Sequence, residues 1–534
     1  MSKSIAKPSN RIAIYDTTLR DGAQALGVSL SLQDKLSLAV HLDDIGLDYI
    51  EGGYPLSNPK DRAFFRQVRQ LKLRHARIAA FSMTRKPNTS PAEDASLAAL
   101  KACQAEVVAF VGKSWDLHVH KVLRTSLEEN LNMIADSVAF FSRRREVIFD
   151  AEHFFDGYKH HPKYALATVI RAAEAGANLV CLCDTNGGTL AEDIAEIFRQ
   201  VRQQVNIPLG IHVHNDSGLA VAGTLAAVAA GAVHVQGTIN GLGERCGNAD
   251  LTTVVPNLVL KMGKQCLLPN SLRKLTELSR YVAEITLQPL SDNQPFVGPA
   301  AFAHKGGMHV HAIQRDTRTY EHIKPEDVGN SRRIIVSELS GSATILAKSE
   351  KLAIIEDRKL LRKLLSQIQD LENQGYQFEV AEGSFEILLR KALGRWHRFF
   401  ELDHYRTAIL RRGGEEPLTE AVVKILINGH IEHCVAEGDG PVNALDEALR
   451  RGLRPHYPAL SEMRLVDYKV RVINPTEGTA AKVCVVIQSR DKEHQWGTVG
   501  VSENIIEASW LALVDSVEYK LLLEEDKAAT KHKP

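Results

Sequence analysis

The chain has 534 residues, 44% hydrophobic and 24% charged, with 65 Lys and Arg against 65 Asp and Glu. One core rarely grows past ~250–300 residues, so two to four domains are expected. The balanced charge gives no global field toward nucleic acid or an anionic membrane, so neither is expected as a partner; a local basic patch for an anionic cofactor stays open.

Met1 to Asn10 is short and polar, without the apolar stretch of a secretory signal. No apolar run reaches the ~20 residues that span a bilayer. The seven cysteines are scattered and make no disulfide framework, so a cytoplasmic location is expected.

From Arg11 onward one unit repeats: a short β-branched run, a polar residue at its end, then a helix-patterned segment. The runs are Arg11–Leu19, Tyr49–Pro55, Arg77–Met83, Val107–Lys113, Glu146–Phe154, Leu179–Asn186, Pro208–Asp216 and Val233–Leu242. Amphipathic stretches lie between them: Leu32–Ile45, Pro91–Ala102, Ser126–Arg143, Pro162–Ala175, Leu190–Val205 and Gly218–Ala230. Gly46, Gly176 and Gly231 stand where left-handed helix caps are needed. Apolar strands alternating with helices imply a parallel sheet covered on both faces, and eight such units over ~250 residues imply a (β/α)8 TIM barrel. A doubly wound sheet is the alternative, but no G-x-G-x-x-G follows the first strand. Cys181 and Cys183, in Leu179-Val-Cys-Leu-Cys183, read as small buried strand residues, with a metal role the lesser reading.

The pattern changes past Leu260. Residues 266–375 read as a mostly helical linker subdomain with a Gly/His-rich break at Phe302–His311. Residues 376–534 read as an α+β domain. Its strands are expected at Phe378–Val380, Ala421–Ile427, Lys469–Ile473 and Ala481–Ser489, its helices at Pro441–Arg450 and Ile505–Glu524. The barrel itself takes residues 1–265.

A TIM barrel carries its site at the C-terminal ends of the strands. Those ends hold Asp16 to Asp21, Glu51, Lys113, Glu152, Asp184-Thr185-Asn186, His212 to Asp216 and Asn240 to Asn248. Residues i and i+2 of a strand share a face, so His212 and His214 project together. H-x-H alone is more often a pair of ordinary polar residues. With Asp21 as a carboxylate ligand and Asn248 as a neutral oxygen, a divalent metal site becomes the better reading, and Mg, Mn and Zn all suit it. Arg20 suits a carboxylate or a developing alkoxide, against a plain salt bridge as the alternative. Glu152 suits work on an acid/base partner, and Asp150 shares its strand face. Thr185 suits a substrate carboxylate, although it or Asp184 can equally cap a helix.

Asp16-Thr-Thr-Leu-Arg-Asp-Gly22, His212-Val-His-Asn-Asp216 and Gly241-Leu-Gly-Glu-Arg-Cys-Gly-Asn248 resemble the three ordered motifs of the DRE-TIM metallolyase superfamily. Ala303-His-Lys-Gly-Gly-Met-His309 resembles the subdomain segment of its Claisen-condensing branch, the isopropylmalate, homocitrate and citramalate synthases. Ala436-Glu-Gly-Asp-Gly-Pro-Val-Asn443 and Asn504-Ile-Ile-Glu-Ala-Ser509 resemble the regulatory domain of isopropylmalate and citramalate synthases. Glu51-Gly-Gly-Tyr-Pro-Leu-Ser-Asn-Pro-Lys60 and Asp150-Ala-Glu-His-Phe-Phe-Asp-Gly157 are most similar to the longer class of citramalate synthases. Phe81-Ser-Met-Thr-Arg85 departs from that class, which usually has Gly-Ser where this chain has Ser-Met.

The resemblance implies Asp21, His212, His214 and Asn248 as ligands of a divalent metal. It implies Arg20 at the oxygen of the 2-oxo acid, Glu152 with His309 as acid/base pair, and Tyr320 as a further active-site residue. In relatives the subdomain reaches into the partner's barrel, which implies a homodimer. The implied reaction condenses acetyl-CoA with pyruvate and hydrolyses the thioester to (R)-citramalate and CoA, on a route through 2-oxobutyrate to isoleucine. Feedback by isoleucine at the C-terminal domain is then expected, with a plain dimerisation domain as the alternative. The rival readings are a 2-isopropylmalate synthase, a metal-dependent acyl-CoA lyase, against which residues 376–534 argue, and a non-catalytic sensor, against which the intact Arg20, Asp21, His212 and His214 argue.

Overall fold

The structure is a computed structural model that describes residues 10–334, 358–414, 416–473 and 480–531. Eight parallel strands close into a barrel in sequence order: β1 (Ala13–Asp16), β2 (Tyr49–Gly53), β3 (Arg77–Met83), β4 (Val107–Lys113), β5 (Glu146–Glu152), β6 (Leu179–Asp184), β7 (Leu209–Val213) and β8 (His234–Gly237). The closing pair is β1 on β8, with Tyr15 opposite Gln236. The expected TIM barrel is therefore present. β3 and β4 coincide with the expected runs, and the other six strands are shorter because the polar ends leave the ladder and become the loops of the site.

Alternation along the strands sorts the barrel into two packed layers. In β6, Val180 and Leu182 face outward into the core shared with the helices, whereas Leu179, Cys181 and Cys183 face inward beside Tyr15, Ala79, Ala109 and Ile148. Helix Leu32–Ile45 shows how one turn of the repeat is fixed. Ser31 caps it by accepting from the Asp34 N–H at 3.1 Å, while Asp34 accepts from the Ser31 N–H at 2.8 Å. Its buried face carries Leu38, Ala39, Leu42 and Ile45, each large one worth about 1.5–3 kcal/mol of burial. Gly46 ends the helix at φ 85°, and a Cβ there would lie 2.4 Å from Leu268, so Gly46→Val would break this corner on two counts. Gly176 and Gly231 also have positive φ, at 100° and 112°. The third helix begins at Ala95 rather than Pro91 because the Asp94 carboxylate takes the N–H groups of Ser96 and Leu97.

The described chain forms two compact units. The first is the barrel through Phe302 together with Glu321–Arg332; helix Leu275–Thr286 packs Leu275, Leu278 and Val282 into the barrel core. The second comprises Ala303–Tyr320 and the chain from Arg333 onward. It opens with β9 (Ala303–His304) paired to β10 (Arg333–Ile334), and helix Gly307–Arg315. Two antiparallel three-stranded sheets follow: β11 (Glu401–Leu410), β12 (Leu418–Ile427) and β13 (His430–Gly438), then β14 (Arg464–Val472), β15 (Val483–Arg490) and β16 (Gln495–Ser502). Helix Pro441–Leu453 sets Leu445, Leu449 and Leu453 against Val423 and Ile425 of β12, and helix Ile505–Lys531 closes the chain. Phe378–Val380, expected as a strand, is a single 3-10 turn: Phe378 is anchored in the core against Phe385 instead of pairing in a sheet. No described helix is long and apolar enough to cross a membrane.

Candidate active site

β1 ends at Asp16, and the following turn positions the Arg20-Asp21 pair. The Asp16 carboxylate accepts from the Thr18 N–H at 3.0 Å and the Thr18 hydroxyl at 2.8 Å. Burial lifts Asp16 to about 7 against those bonds. Thr18 Oγ1 also takes the Ile239 N–H at 2.9 Å, which ties the mouth end of β1 to that of β8.

His212 lies in β7 and His214 just beyond it, both turned inward by the strand parity. Their Nε2 atoms are 3.2 Å apart, and Asp21 Oδ2 lies 3.7 Å from His212 Nε2. One donor atom from each of Asp21, His212 and His214 falls within 4.8 Å of the other two. Burial pushes His212 down from its ordinary range and His214 to about 4, so both rings offer lone pairs at neutral pH. Burial acts to raise Asp21, but Arg20, the two imidazoles and Asn248 outweigh it and hold the carboxyl below its ordinary value. Asn248 stands beside His214 through a backbone bridge, and its Nδ2 donates to Leu242 O at 3.0 Å. A Cβ on Gly243 would meet that Nδ2 at 2.2 Å, so a glycine is required there. Asn248 Oδ1 is buried with no hydrogen-bond partner. Two neutral imidazoles, a carboxylate and an orphaned amide oxygen fit a divalent cation, and mixed N/O donors do not choose among Mg, Mn and Zn.

Arg20 is fixed from three sides. Its Nε donates to Glu51 Oε2 at 2.7 Å, its Nη1 lies 3.2 Å from Asp21 Oδ2, and its guanidinium carbon sits 4.1 Å from the centre of the Phe81 ring. Glu51 is fully buried and accepts from the Tyr15 hydroxyl at 2.8 Å and from the Thr17 hydroxyl. Burial works against the Arg20 charge, but Glu51 and Asp21 more than restore it. Glu152, on the inward face of β5, is paired with Lys113 of β4. Thr185 follows β6; its Oγ1 accepts from the His153 N–H at 2.8 Å, which leaves its own O–H free to donate. His153 adopts φ 56°, an unusual conformation for a side chain of that size, in making this bond.

Arg20, Asp21, Glu152, Thr185 and His214 line a cavity of about 490 Å³ at the barrel mouth. An adjoining recess of about 310 Å³ shares Phe81 with it and adds Asp150, Cys183, His212 and Gln236. Seven of the nine residues expected at the site thus lie in the first unit, and Asn248 adjoins the same mouth. His309 and Tyr320 belong to the second unit, where both are exposed and stack with ring centroids 4.0 Å apart. Three contributors had no role in the sequence reading. Glu51 was visible there as a strand-end carboxylate; Phe81 and Gln236 sit inside strands, where only the barrel's parity separates pocket wall from core. Asp150, Cys181 and Cys183 also converge, with one ligating atom each within 4.8 Å of the others. The two cysteines pack as small residues of the inner layer, and burial lifts the Cys181 thiol well above its ordinary range.

An eight-stranded parallel barrel whose mouth gathers buried His212, His214, Asp21 and Asn248 beside a fixed arginine has a donor set that suits a metal-dependent enzyme of the TIM-barrel class. Residues 11–282 match the HMGL-like family model, 296–376 the homocitrate synthase post-HMGL domain-like model, and 379–521 the LeuA allosteric (dimerisation) domain model. The (R)-citramalate synthase of Geobacter sulfurreducens is 51% identical over 97% of this chain and 99% of that protein. That of Aquifex aeolicus is 50% identical over 97% and 99%. The 2-isopropylmalate synthase of Methanocaldococcus jannaschii is 31% identical over 97% and 96%. The chain belongs to the citramalate synthase family, whose members are acyltransferases.

Proposed function

We propose that this chain condenses acetyl-CoA with pyruvate and hydrolyses the resulting thioester to (R)-citramalate and CoA. The observation that carries the reading is the buried Asp21, His212, His214 and Asn248 set beside Arg20. The names of the relatives at 51% and 50% identity favour pyruvate as acceptor. Phe81, packed on the Arg20 guanidinium, walls the space beside it and favours a small 2-oxo acid.

Asp21, His212, His214 and Asn248 would hold a divalent cation, which would supply Lewis acidity at the acceptor's carbonyl. Arg20, held by Glu51, donates to the keto oxygen as negative charge develops on it. The free Thr185 O–H donates to the acceptor carboxylate. Glu152 and His309 are assigned the acid and base roles, with Tyr320 beside His309: the base takes a proton from the acetyl methyl, the new carbanion attacks the keto carbon, and the acid returns a proton to the resulting alkoxide oxygen. Water then adds to the thioester carbonyl, the C–S bond breaks, and CoA leaves as the thiol.

Residues 1–265 form the catalytic part, 266–375 the linker that contributes to the site, and 376–534 a regulatory and dimerisation domain of a cytoplasmic homodimer. The product feeds isoleucine formation through 2-oxobutyrate, and isoleucine is the effector. Isotope-labelled pyruvate incubated with acetyl-CoA and the metal-loaded chain is expected to appear in a five-carbon hydroxy diacid by mass spectrometry. Its absence overturns the reaction. Isoleucine is expected to lower turnover of the intact chain and to lose that effect when residues after Gln374 are removed; no response in the intact chain overturns the regulatory part.

A further inference from the structure

Gln236 lies in β8 on the inward face, directly below the metal ligands, and is 2% exposed. Its side-chain amide is held at both ends. Nε2 donates to Asp150 Oδ1 at 2.9 Å, and Oε1 faces His212 Nδ1 at 3.1 Å. An ionised carboxylate can only accept, so Asp150 turns the NH2 end of the amide toward itself and the oxygen toward His212. An oxygen facing Nδ1 requires the proton there, and the lone pair of His212 is then left on Nε2, the atom that faces Asp21 and His214.

The neighbouring imidazoles show that such a partner is not automatic in this barrel. His214 Nδ1 is buried without a partner, and both ring nitrogens of His234, two residues before Gln236 on the same strand face, have none. Of the two histidines at the site, His212 alone has its tautomer fixed by a side chain among the described residues.

We infer that Gln236 is a positioning residue for the metal centre, locking His212 in the ligating tautomer, and that Asp150 acts through Gln236 by fixing which end of the amide faces the ring. This rests on the metal reading proposed above. Asp150 is linked to His212 by hydrogen bonds through the Gln236 amide, while its charge also reaches Asp21. Without Asp150 the amide is free to turn over. It would then present NH2 to Nδ1, drive the proton to Nε2 and block the ligating atom.

The test is direct binding of Mn2+ to the full-length, metal-free chain by equilibrium dialysis. It is run near pH 8, above the value of about 7 to which burial lifts Asp150. Gln236→Met keeps the length and removes the acceptor; Gln236→Glu keeps an acceptor facing Nδ1, with one proton shared between the new carboxylate and Asp150; Asp150→Asn unlocks the amide without touching His212. Orienting partners of ligating histidines typically carry about 10–100-fold in metal affinity. Gln236→Met is expected to bind Mn2+ at least about tenfold more weakly, with its turnover restored at saturating metal. Gln236→Glu is expected to stay within about threefold of the parent, and Asp150→Asn to weaken binding although it leaves the donor set intact. Parent-like affinity in Gln236→Met overturns the inference, as does an equal loss in Gln236→Met and Gln236→Glu, which would mark simple packing. If Gln236→Met does not fold, Asp150→Asn decides: unchanged affinity overturns the lock. A parent chain that binds no Mn2+ defeats the metal reading itself, an outcome distinct from any of these.

Discussion

Replacing Glu51 by Gln separates charge from shape at the base of Arg20. Glu51 has no exposed surface and takes three bonds, from Tyr15, Thr17 and Arg20. In Glu51→Gln the amide oxygen can keep the Thr17 hydroxyl and Arg20 Nε at the Oε2 position while the new NH2, at the Oε1 position, donates to a turned Tyr15 hydroxyl, so the main change is that the guanidinium loses its nearer negative charge. Removing one partner of a buried ion pair costs about 3–5 kcal/mol. Asp21 remains 3.2 Å from Arg20, and the Arg20 side chain is 17% exposed, so the cost here falls to about 2–3 kcal/mol. Arg20 then leans on Asp21, the proposed metal ligand, and kcat/KM is expected to fall by about 10–100-fold. The chain has two compact units, so one melting temperature would not isolate the effect. Hydrogen exchange followed by mass spectrometry does, with peptides from β1 and β2 against peptides from helix Ile505–Lys531 as the internal control. Faster exchange in the barrel alone is expected. Unchanged exchange in β1 and β2 together with kcat/KM within about twofold of the parent would refute the assignment of Glu51 as the anchor of Arg20.

Other predictions follow from the same geometry. Burial pushes His234 from 6.5 to about 3, so it stays neutral in the folded barrel while the unfolded chain takes up a proton below pH 6.5. Its contribution is complete above 6.5 and is lost as pH falls, on the order of 3 kcal/mol by about pH 4.5; His234→Phe should flatten that acid loss in urea titrations, and an unchanged slope would contradict it. Arg20→Lys keeps a charge but not the fork to Glu51 and the keto oxygen, and kcat should fall by at least about 100-fold with metal binding retained; kinetics and dialysis read the two separately. Phe81→Ala opens the wall against Arg20 and should shift the kcat/KM ratio of 2-oxoisovalerate to pyruvate upward by about 1–3 kcal/mol; no shift would place the acceptor's side chain elsewhere.

The barrel was legible because its strands are covered on both faces and its helices carry explicit stops such as Gly46. The His212 and His214 pair was legible because strand parity makes i, i+2 a geometric statement. Gln236 was not, since the alternation in Val233-His-Val-Gln236 puts His234 and Gln236 on one face but gives no sign of which face is inward until β8 is set in the closed barrel. Glu51 could be placed at a strand end, but its bond to Arg20 is a contact between β2 and the turn after β1 that no spacing encodes. In the second unit β11 and β13 escaped because much of their surface is exposed, so polar residues interrupt the alternation that betrays a strand. Phe378–Val380 misled for the opposite reason: Phe378-Glu-Val380 shows the apolar alternation of a strand but is only three residues long.

The most direct measurement is acetyl-CoA-dependent release of free thiol by the purified chain with added divalent metal, comparing pyruvate, 2-oxoisovalerate and 2-oxoglutarate. A strong preference for pyruvate, abolished by chelation and restored by metal, is the predicted result. Preference for 2-oxoisovalerate would contradict the acceptor, and no release with any of the three would contradict the condensing reaction itself.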